Sequence, residues 1–174
     1  MKHRKVKVMV VKYPQMATGK LATKEFVVQL VAFAKKYNIV NIHENPYSVI
    51  LNDEPMSLRS VNGAKDVVIE LNSLSKSHNM AGWRIGMLVG AKERIDDVLR
   101  VKSNMDSGMF LPLQLAAAKA LELGQEWHDG VNKVYRGRRE KVFELLKLLN
   151  CSFDEKHAGL FVWASIPSDY KDGY

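Results

Sequence analysis

Residues 72–86, NSLSKSHNMAGWRIG, follow an apolar run and place a lysine, Lys76, between two serines, with Arg84 eight residues later. Hydroxyl, ammonium and guanidinium groups are donors that bind phosphate. A lysine near the end of a strand that loses its proton can attack a carbonyl group. A solvated surface lysine is the plainer interpretation of Lys76 alone. The nearby Ser73, Ser75 and Arg84 favour a loop that binds phosphate and presents an amine.

The composition is that of one ordinary globular domain. The 174 residues are 47% hydrophobic and 26% charged, and the net charge is +7. Nucleic acid or an anionic ligand would suit that charge, but part of the excess lies in the opening MKHRKVKVMVVK, and no basic stripe with interleaved aromatics indicates a nucleic-acid partner. The single cysteine, Cys151, excludes an internal disulfide and a cysteine metal cluster, and His43 and His78 lack companions at metal-ligand spacing. We therefore expect no metal and no nucleic acid.

No signal peptide and no apolar run of membrane-spanning length is visible in the sequence. Together with the single cysteine, which fits a reducing compartment, this pattern favours a cytoplasmic protein without a membrane partner.

Hydrophobic periodicity alternates between strand and helix along the chain. Thr23 is placed to cap the first predicted helix, and Pro46 ends the second predicted strand. The predicted strands are 5–14, 38–47, 66–73, 84–91 and 159–167, and the predicted helices are 23–37, 92–102, 111–123 and 126–150. This alternation predicts an α/β fold of three layers, with a mostly parallel sheet flanked by helices.

Three unusual loops follow the first three predicted strands: YPQMATG at 13–19, ENPYS at 44–48, and the lysine loop. Because ligands bind outside the carboxyl ends of strands in open α/β sheets, we expect the three loops to meet at one crevice. Glu44 can pair there with a cationic ring nitrogen, or it is only a solvated strand-end acid. Tyr47 can donate to a phenolate oxygen, or it is an edge aromatic that packs on the sheet.

The lysine loop resembles the cofactor-lysine signature of class I/II aminotransferases, the fold-type I pyridoxal-phosphate enzymes that include aspartate aminotransferase. YPQMATG resembles the family's YPNNPTG turn, and HENPYS resembles its DNPYS or DEVY segment. The resemblance extends from Val6 to about Pro167. The residues that match the lysine signature are Ser73, Ser75, Lys76, Gly82, Arg84 and Gly86.

The resemblance implies pyridoxal 5′-phosphate as cofactor and a role for each matching residue. Lys76 would bind the cofactor as a Schiff base and move a proton between the substrate's α-carbon and the cofactor. Ser73 and Arg84 would hold the phosphate, and Ser75 would also belong to the cofactor-binding residues.

The other two loops would contact the cofactor ring. Tyr47 would hydrogen-bond the phenolic oxygen, and Glu44 stands where the family has an aspartate that keeps the ring nitrogen protonated. Gln15 or Met16 stands in the place of the family's asparagine, which contacts the phenolic oxygen. Ala17 replaces the proline of the family's turn.

The resemblance also implies a domain division, a reaction and a partner. Residues 1–125 would be a partial cofactor-binding large domain, and residues 126–174 the interdomain helix and the start of the small domain, so that the chain is a fragment. The expected reaction is amino transfer between an amino acid and a 2-oxo acid, in a homodimer. The alternative is an inactive remnant that at most binds the cofactor or dimerises. For 103–114, the family implies a place near the dimer interface, and the alternative is a helix entry capped by Ser107.

Overall fold

The computed structural model describes residues 6–171, and its central feature is a four-stranded sheet in the order β1-β2-β3-β4. The strands are β1 (Val8–Lys12), β2 (Val40–Glu44), β3 (Val68–Ser73) and β4 (Gly86–Val89). The first three are parallel and β4 is antiparallel to β3. The predicted α/β class with a mostly parallel sheet is confirmed. Lys5, at the start of the first predicted strand, lies outside the described residues.

Helix α1 (Lys24–Tyr37) covers the sheet and forms the main core. The Thr23 hydroxyl oxygen accepts from the backbone N–H of Phe26 at 3.1 Å, which confirms the predicted cap. The buried apolar side chains of α1 pack against side chains of β3 and of the segment between β2 and β3. That cluster consists of Val27, Val31, Ala34, Leu58, Ala64, Val67 and Val68.

Within residues 6–171, four α-helices follow β3: α2 (Leu74–Ser77), α3 (Lys92–Met105), α4 (Leu111–Leu121) and α5 (Gln125–Leu148). The three longer ones lie close to their predicted positions, and α5 runs through Gly130 and Gly137 without a break. The N-cap residue of α4 is Phe110, and no side chain caps it, so the interpretation of Ser107 as its cap is wrong.

The final predicted strand, 159–167, is wrong for most of its length. Only β6 (Ala164–Ser165) is extended, and it pairs with β5 (Ser152–Phe153) in a separate two-stranded sheet. The preceding residues bond to loops of the main sheet instead, because the Ala158 N–H donates to Gly19 O and the Gly159 N–H to Ile50 O. Gly159 adopts a positive φ of 85°, which turns the chain away from a strand path.

Large apolar side chains remain exposed at β1 and along α3. Val8 is 49% exposed and Val10 60%, and both lie on the edge strand of the sheet. On α3, Val98, Leu99 and Met105 are also exposed. Within residues 6–171, no helix is long and apolar enough to cross a membrane.

Candidate active site

The carboxyl ends of β1, β2 and β3 lie at one edge of the sheet, because the three strands are parallel and adjacent. Residues 13–19 follow β1, residues 45–50 follow β2, and α2 follows β3. The structure therefore brings the three predicted loops to one edge, as the sequence predicted.

The lysine turn, residues 73–86, begins with Ser73 as the N-cap of the single-turn helix α2. The Ser73 hydroxyl oxygen accepts from the Ser75 N–H at 3.2 Å, so its own hydrogen stays free to donate. Lys76 lies in this turn and is half-buried. Its amine makes no ion pair with any residue from 6 to 171. A side-chain amine without a carboxylate partner among these residues is available to a ligand.

Gly86 allows the lysine turn to close against the strand that precedes it. A Cβ at this position would lie 2.6 Å from the carbonyl oxygen of Asn72, which no side chain tolerates without a shift. Nothing lies within 4 Å of the corresponding point at Gly82. Of the two glycines in the lysine signature, Gly86 is therefore the one that local packing requires.

Arg84 is exposed on the return of the lysine turn and has a left-handed φ of 52°. One nitrogen of its guanidinium donates to the Ala81 carbonyl oxygen at 2.9 Å. A guanidinium has five N–H donors, so most of them remain available to an anion.

Helix α5, which comes much later in the sequence, also contacts the lysine turn. The indole Nε1–H of Trp127 donates to the carbonyl oxygen of Ser77 at 3.2 Å. Next to this bond the rings of His78 and His128 meet edge to face at 5.3 Å. Burial lowers the pKa of His78, and the neighbouring His128 lowers it further. The sequence did not indicate Trp127 as a support of the lysine turn, because its contact depends on how α5 packs.

Glu44 and Tyr47 lie at the end of β2, beside a lysine that the sequence did not single out. The Lys12 amine forms an ion pair with Glu44 Oε2 at 2.6 Å, and each side chain is about one-third exposed, at 35% and 36%. Burial raises the pKa of Tyr47, whereas the positive charge of Lys12 acts in the opposite direction. We call Lys12, Glu44 and Tyr47 the acid edge. The parallel register, which sets Lys12 opposite Glu44, is the only signal that could have found Lys12.

Gln15 lies in the turn after β1, and its side-chain oxygen serves that turn. Gln15 Oε1 accepts from the backbone N–H of Thr18 at 2.7 Å and from the Thr18 hydroxyl at 3.1 Å. The amide nitrogen of Gln15 remains as its donor. Met16, the alternative at this position, is 44% exposed.

A buried polar network lies behind the acid edge. His43 is fully buried, its Nε2 donates to Tyr13 O at 3.0 Å, and its Nδ1 lies 3.3 Å from Glu70 Oε2. The same carboxylate accepts from Asn45 Nδ2 at 3.1 Å and from the hydroxyl of Ser57. Burial by itself would raise the pKa of Glu70, but the hydrogen bonds from His43, Ser57 and Asn45 outweigh it and lower the pKa. The network ties the turn after β1 to the end of β2.

Asn132 of α5 clamps the segment that follows Tyr47. Its Oδ1 accepts from the Leu51 N–H at 2.9 Å, and its Nδ2 donates to Val49 O at 3.0 Å. Asn132 is 7% exposed, so both bonds are sheltered from water.

Among residues 6–171, no group of three or more His, Cys, Asp or Glu side chains could hold a metal ion.

Solved structures identify the class to which this sheet and its lysine turn belong. The apo structure of BacF from Bacillus subtilis superposes with a TM-score of 0.89 at 34% identity, covering 95% of this chain and 43% of BacF. A probable N-succinyldiaminopimelate aminotransferase from Thermus thermophilus gives a TM-score of 0.87 at 32% identity, covering 94% of this chain and 45% of that one. The fold is that of fold-type I aminotransferases.

Sequence comparison gives the family. The family described as "Aminotransferase class I and II" matches residues 1–172, and the chain belongs to this family.

Among curated relatives, LL-diaminopimelate aminotransferase from Dehalococcoides mccartyi is 42% identical over 168 residues, and the match covers 95% of this chain and 43% of that protein. The enzyme of the same name from Maridesulfovibrio salexigens is 41% identical over 169 residues, covering 95% and 44%. The chain thus spans less than half the length of these relatives.

Proposed function

We propose that this chain is the lysine-bearing part of a pyridoxal-phosphate-dependent aminotransferase, which moves an amino group between an amino acid and a 2-oxo acid. The observation that carries the proposal is Lys76 on α2, at the carboxyl edge of the sheet and without an ion-pair partner among residues 6–171, in a chain of this family. The curated relatives are LL-diaminopimelate aminotransferases, so LL-diaminopimelate is the first amino acid to test as substrate.

The residues of the lysine turn suit the phosphate and the aldehyde of this cofactor. Ser73 keeps a free hydroxyl hydrogen, and Arg84 keeps most of its guanidinium donors. We assign the phosphate to these two residues and to Ser75, and the aldehyde carbon to the Lys76 amine. On the ring side, Tyr47 and Gln15 supply a hydroxyl and an amide as donors, and Glu44 supplies a carboxylate.

Bound pyridoxal phosphate supplies a ring that withdraws electrons from the substrate's α-carbon. The chain's own part is to hold this ring and to move protons. With the cofactor bound, the Lys76 Nζ would accept a proton from the α-carbon and would return one, as general base and then general acid. Ser73 and Arg84 fix the phosphate end, so that Lys76 and the reacting carbon stay within reach of each other.

A borohydride experiment tests the assignment. The purified chain is mixed with pyridoxal phosphate, reduced, digested, and searched for the added mass. We expect one adduct, on Lys76, which Lys76→Ala abolishes and Lys20→Ala leaves unchanged, because Lys20 is exposed and lies on another loop. Undiminished labelling of Lys76→Ala, or scattered labelling over several lysines, would contradict the proposal.

The proposal includes a homodimer in the cytoplasm. Exposed apolar residues on α3 and at the entry to α4, among them Met105, Phe110 and Leu111, support a partner surface there. Sedimentation of the chain at increasing concentration measures the association. A monomer at all concentrations would contradict this part.

A catalytically inactive remnant is the second candidate, and the acid edge is the observation that favours it. Within the acid edge, Glu44 is paired with Lys12. In the neighbouring turn, the side-chain oxygen of Gln15 accepts a hydrogen bond from Thr18 and is therefore occupied. Such a remnant would at most form the Lys76 adduct and would show no amino transfer from any amino acid. Single-turnover absorbance with LL-diaminopimelate and with other amino acids separates the two candidates.

A further inference from the structure

The acid edge contains a cation where the proposed function requires an available carboxylate. Lys12 lies 2.6 Å from Glu44 Oε2, and the pair sits at the carboxyl ends of β1 and β2, which face each other in register. At this distance the opposite charges of Lys12 and Glu44 attract each other directly, although solvent screens part of the attraction at one-third exposure. A ring nitrogen that carries a proton would have to share Glu44 with Lys12.

We propose that Lys12 competes with a pyridine ring for the Glu44 carboxylate. This inference rests on the proposed function, because it concerns the ligand that the proposed function assigns to the site.

Lys12 also acts on Tyr47, the second ring-contacting residue on β2. Its charge opposes the effect of burial on the Tyr47 hydroxyl. Two uncharged residues also lie close to the Tyr47 ring: Gly159, and Phe161, whose ring meets it edge to face at 6.4 Å. Tyr47 is therefore a local reporter of the Lys12 charge that needs no bound cofactor.

Ligand binding supplies the first test, with 4′-deoxypyridoxine 5′-phosphate as probe. This compound keeps the ring nitrogen, phenolic oxygen and phosphate but has no aldehyde, so its binding does not depend on reaction with Lys76. We expect Lys12→Met to lower the dissociation constant about fivefold, the scale of a partly exposed ion pair. Binding that is equal or weaker in Lys12→Met overturns the proposal.

Three control variants assign the effect to the ion pair. Lys12→Arg keeps the charge and should bind within about twofold of the wild type. Lys92→Met removes a different ion pair, between Lys92 and Asp96 on α3 at 2.5 Å, and should leave binding of the probe unchanged. In a Glu44→Gln background, Lys12→Met should give no gain. A gain that persists without Glu44 overturns the proposal.

The second test uses the cofactor-free chain, with tyrosine labelled at the ring carbon that bears the hydroxyl. Alkaline titration by NMR should show a higher Tyr47 pKa in Lys12→Met and no such change in Lys12→Arg. If the Tyr47 pKa in Lys12→Met is the same as in the wild type, the proposal is overturned, whether or not any ring compound binds. If Tyr47 responds but the wild type forms no Lys76 adduct, the proposed function fails and the Lys12 contact stands.

Discussion

The lysine turn and the acid edge lie at the same edge of the sheet but are held by different forces. The lysine turn is fixed by backbone geometry: a helix cap at Ser73, a close approach at Gly86, and a bond from Trp127 to a main-chain carbonyl. The acid edge is fixed by side-chain charge, the ion pair of Lys12 and Glu44. Backbone contacts tolerate few residue types, whereas a charge pair adapts to either acid. The region held by backbone contacts is the one that matches the family signature, and the region held by a charge pair is the one that departs from it at Glu44.

Gly86→Ala tests the backbone side of this comparison and should have the largest effect. The added Cβ would lie 2.6 Å from Asn72 O, so we expect the free energy of unfolding to fall by about 3 kcal/mol, at the upper end of overpacking costs. Urea denaturation measures this change. Gly82→Ala is the matched control and should stay within about 0.5 kcal/mol. Equal effects of the two variants would show that backbone closure does not hold the lysine turn.

Glu70→Gln tests whether the acid edge also depends on the buried network behind it. The carboxylate accepts bonds from His43, Asn45 and Ser57, so we expect a loss of about 2 kcal/mol at neutral pH.

The effect of Glu70 should also depend on pH. Its pKa is lower in the folded state than the ordinary 4.5. Its contribution is therefore complete above pH 4.5 and is lost as the pH falls through the lower, folded-state value. Urea denaturation at several pH values should show that the free energy of unfolding falls less on acidification in Glu70→Gln than in the wild type. The same fall in both chains would contradict the assignment.

Trp127→Phe should have the smallest effect and shows how much α5 contributes to the lysine turn. It removes the donor to Ser77 O but keeps an aromatic ring, so we expect a loss of about 1 kcal/mol and slower formation of the Lys76 adduct. Trp163→Phe is the control, since Trp163 is 63% exposed. If both substitutions slow the adduct alike, the hydrogen bond from α5 is not what supports the lysine turn.

Local patterns predicted most of the fold. The Thr23 cap, the stripe of α1 and the strands that precede each loop follow from periodicity and short-range hydrogen bonding, which adjacent residues determine. The segment 159–167 reads as a strand by the same rule. It fails because Ala158 and Gly159, at its start, donate their backbone N–H groups to Gly19 and Ile50, which lie more than 100 residues earlier and which no local pattern reveals.

The candidate site divides in the same way. Ser73, Lys76, Arg84 and Gly86 stand at short spacings in one loop, so the sequence alone proposes them together, and their roles toward a cofactor stay predictions. Lys12 was not foreseen, because its contact with Glu44 depends on the register between two strands that are separated by a helix. The division into domains at residue 125 also remains a prediction.

The Asn132 clamp has a consequence for the order in which the chain folds during synthesis. Its partner Leu51 is 81 residues earlier in the chain, and the bond from Trp127 to Ser77 spans 50 residues. Contacts between residues so far apart in the sequence form only after the chain that contains both partners has left the ribosome. Sheet and lysine turn can assemble first, but their support from α5 arrives later. We expect nascent chains that end before α5 to capture pyridoxal phosphate poorly, and chains that include it to capture it well.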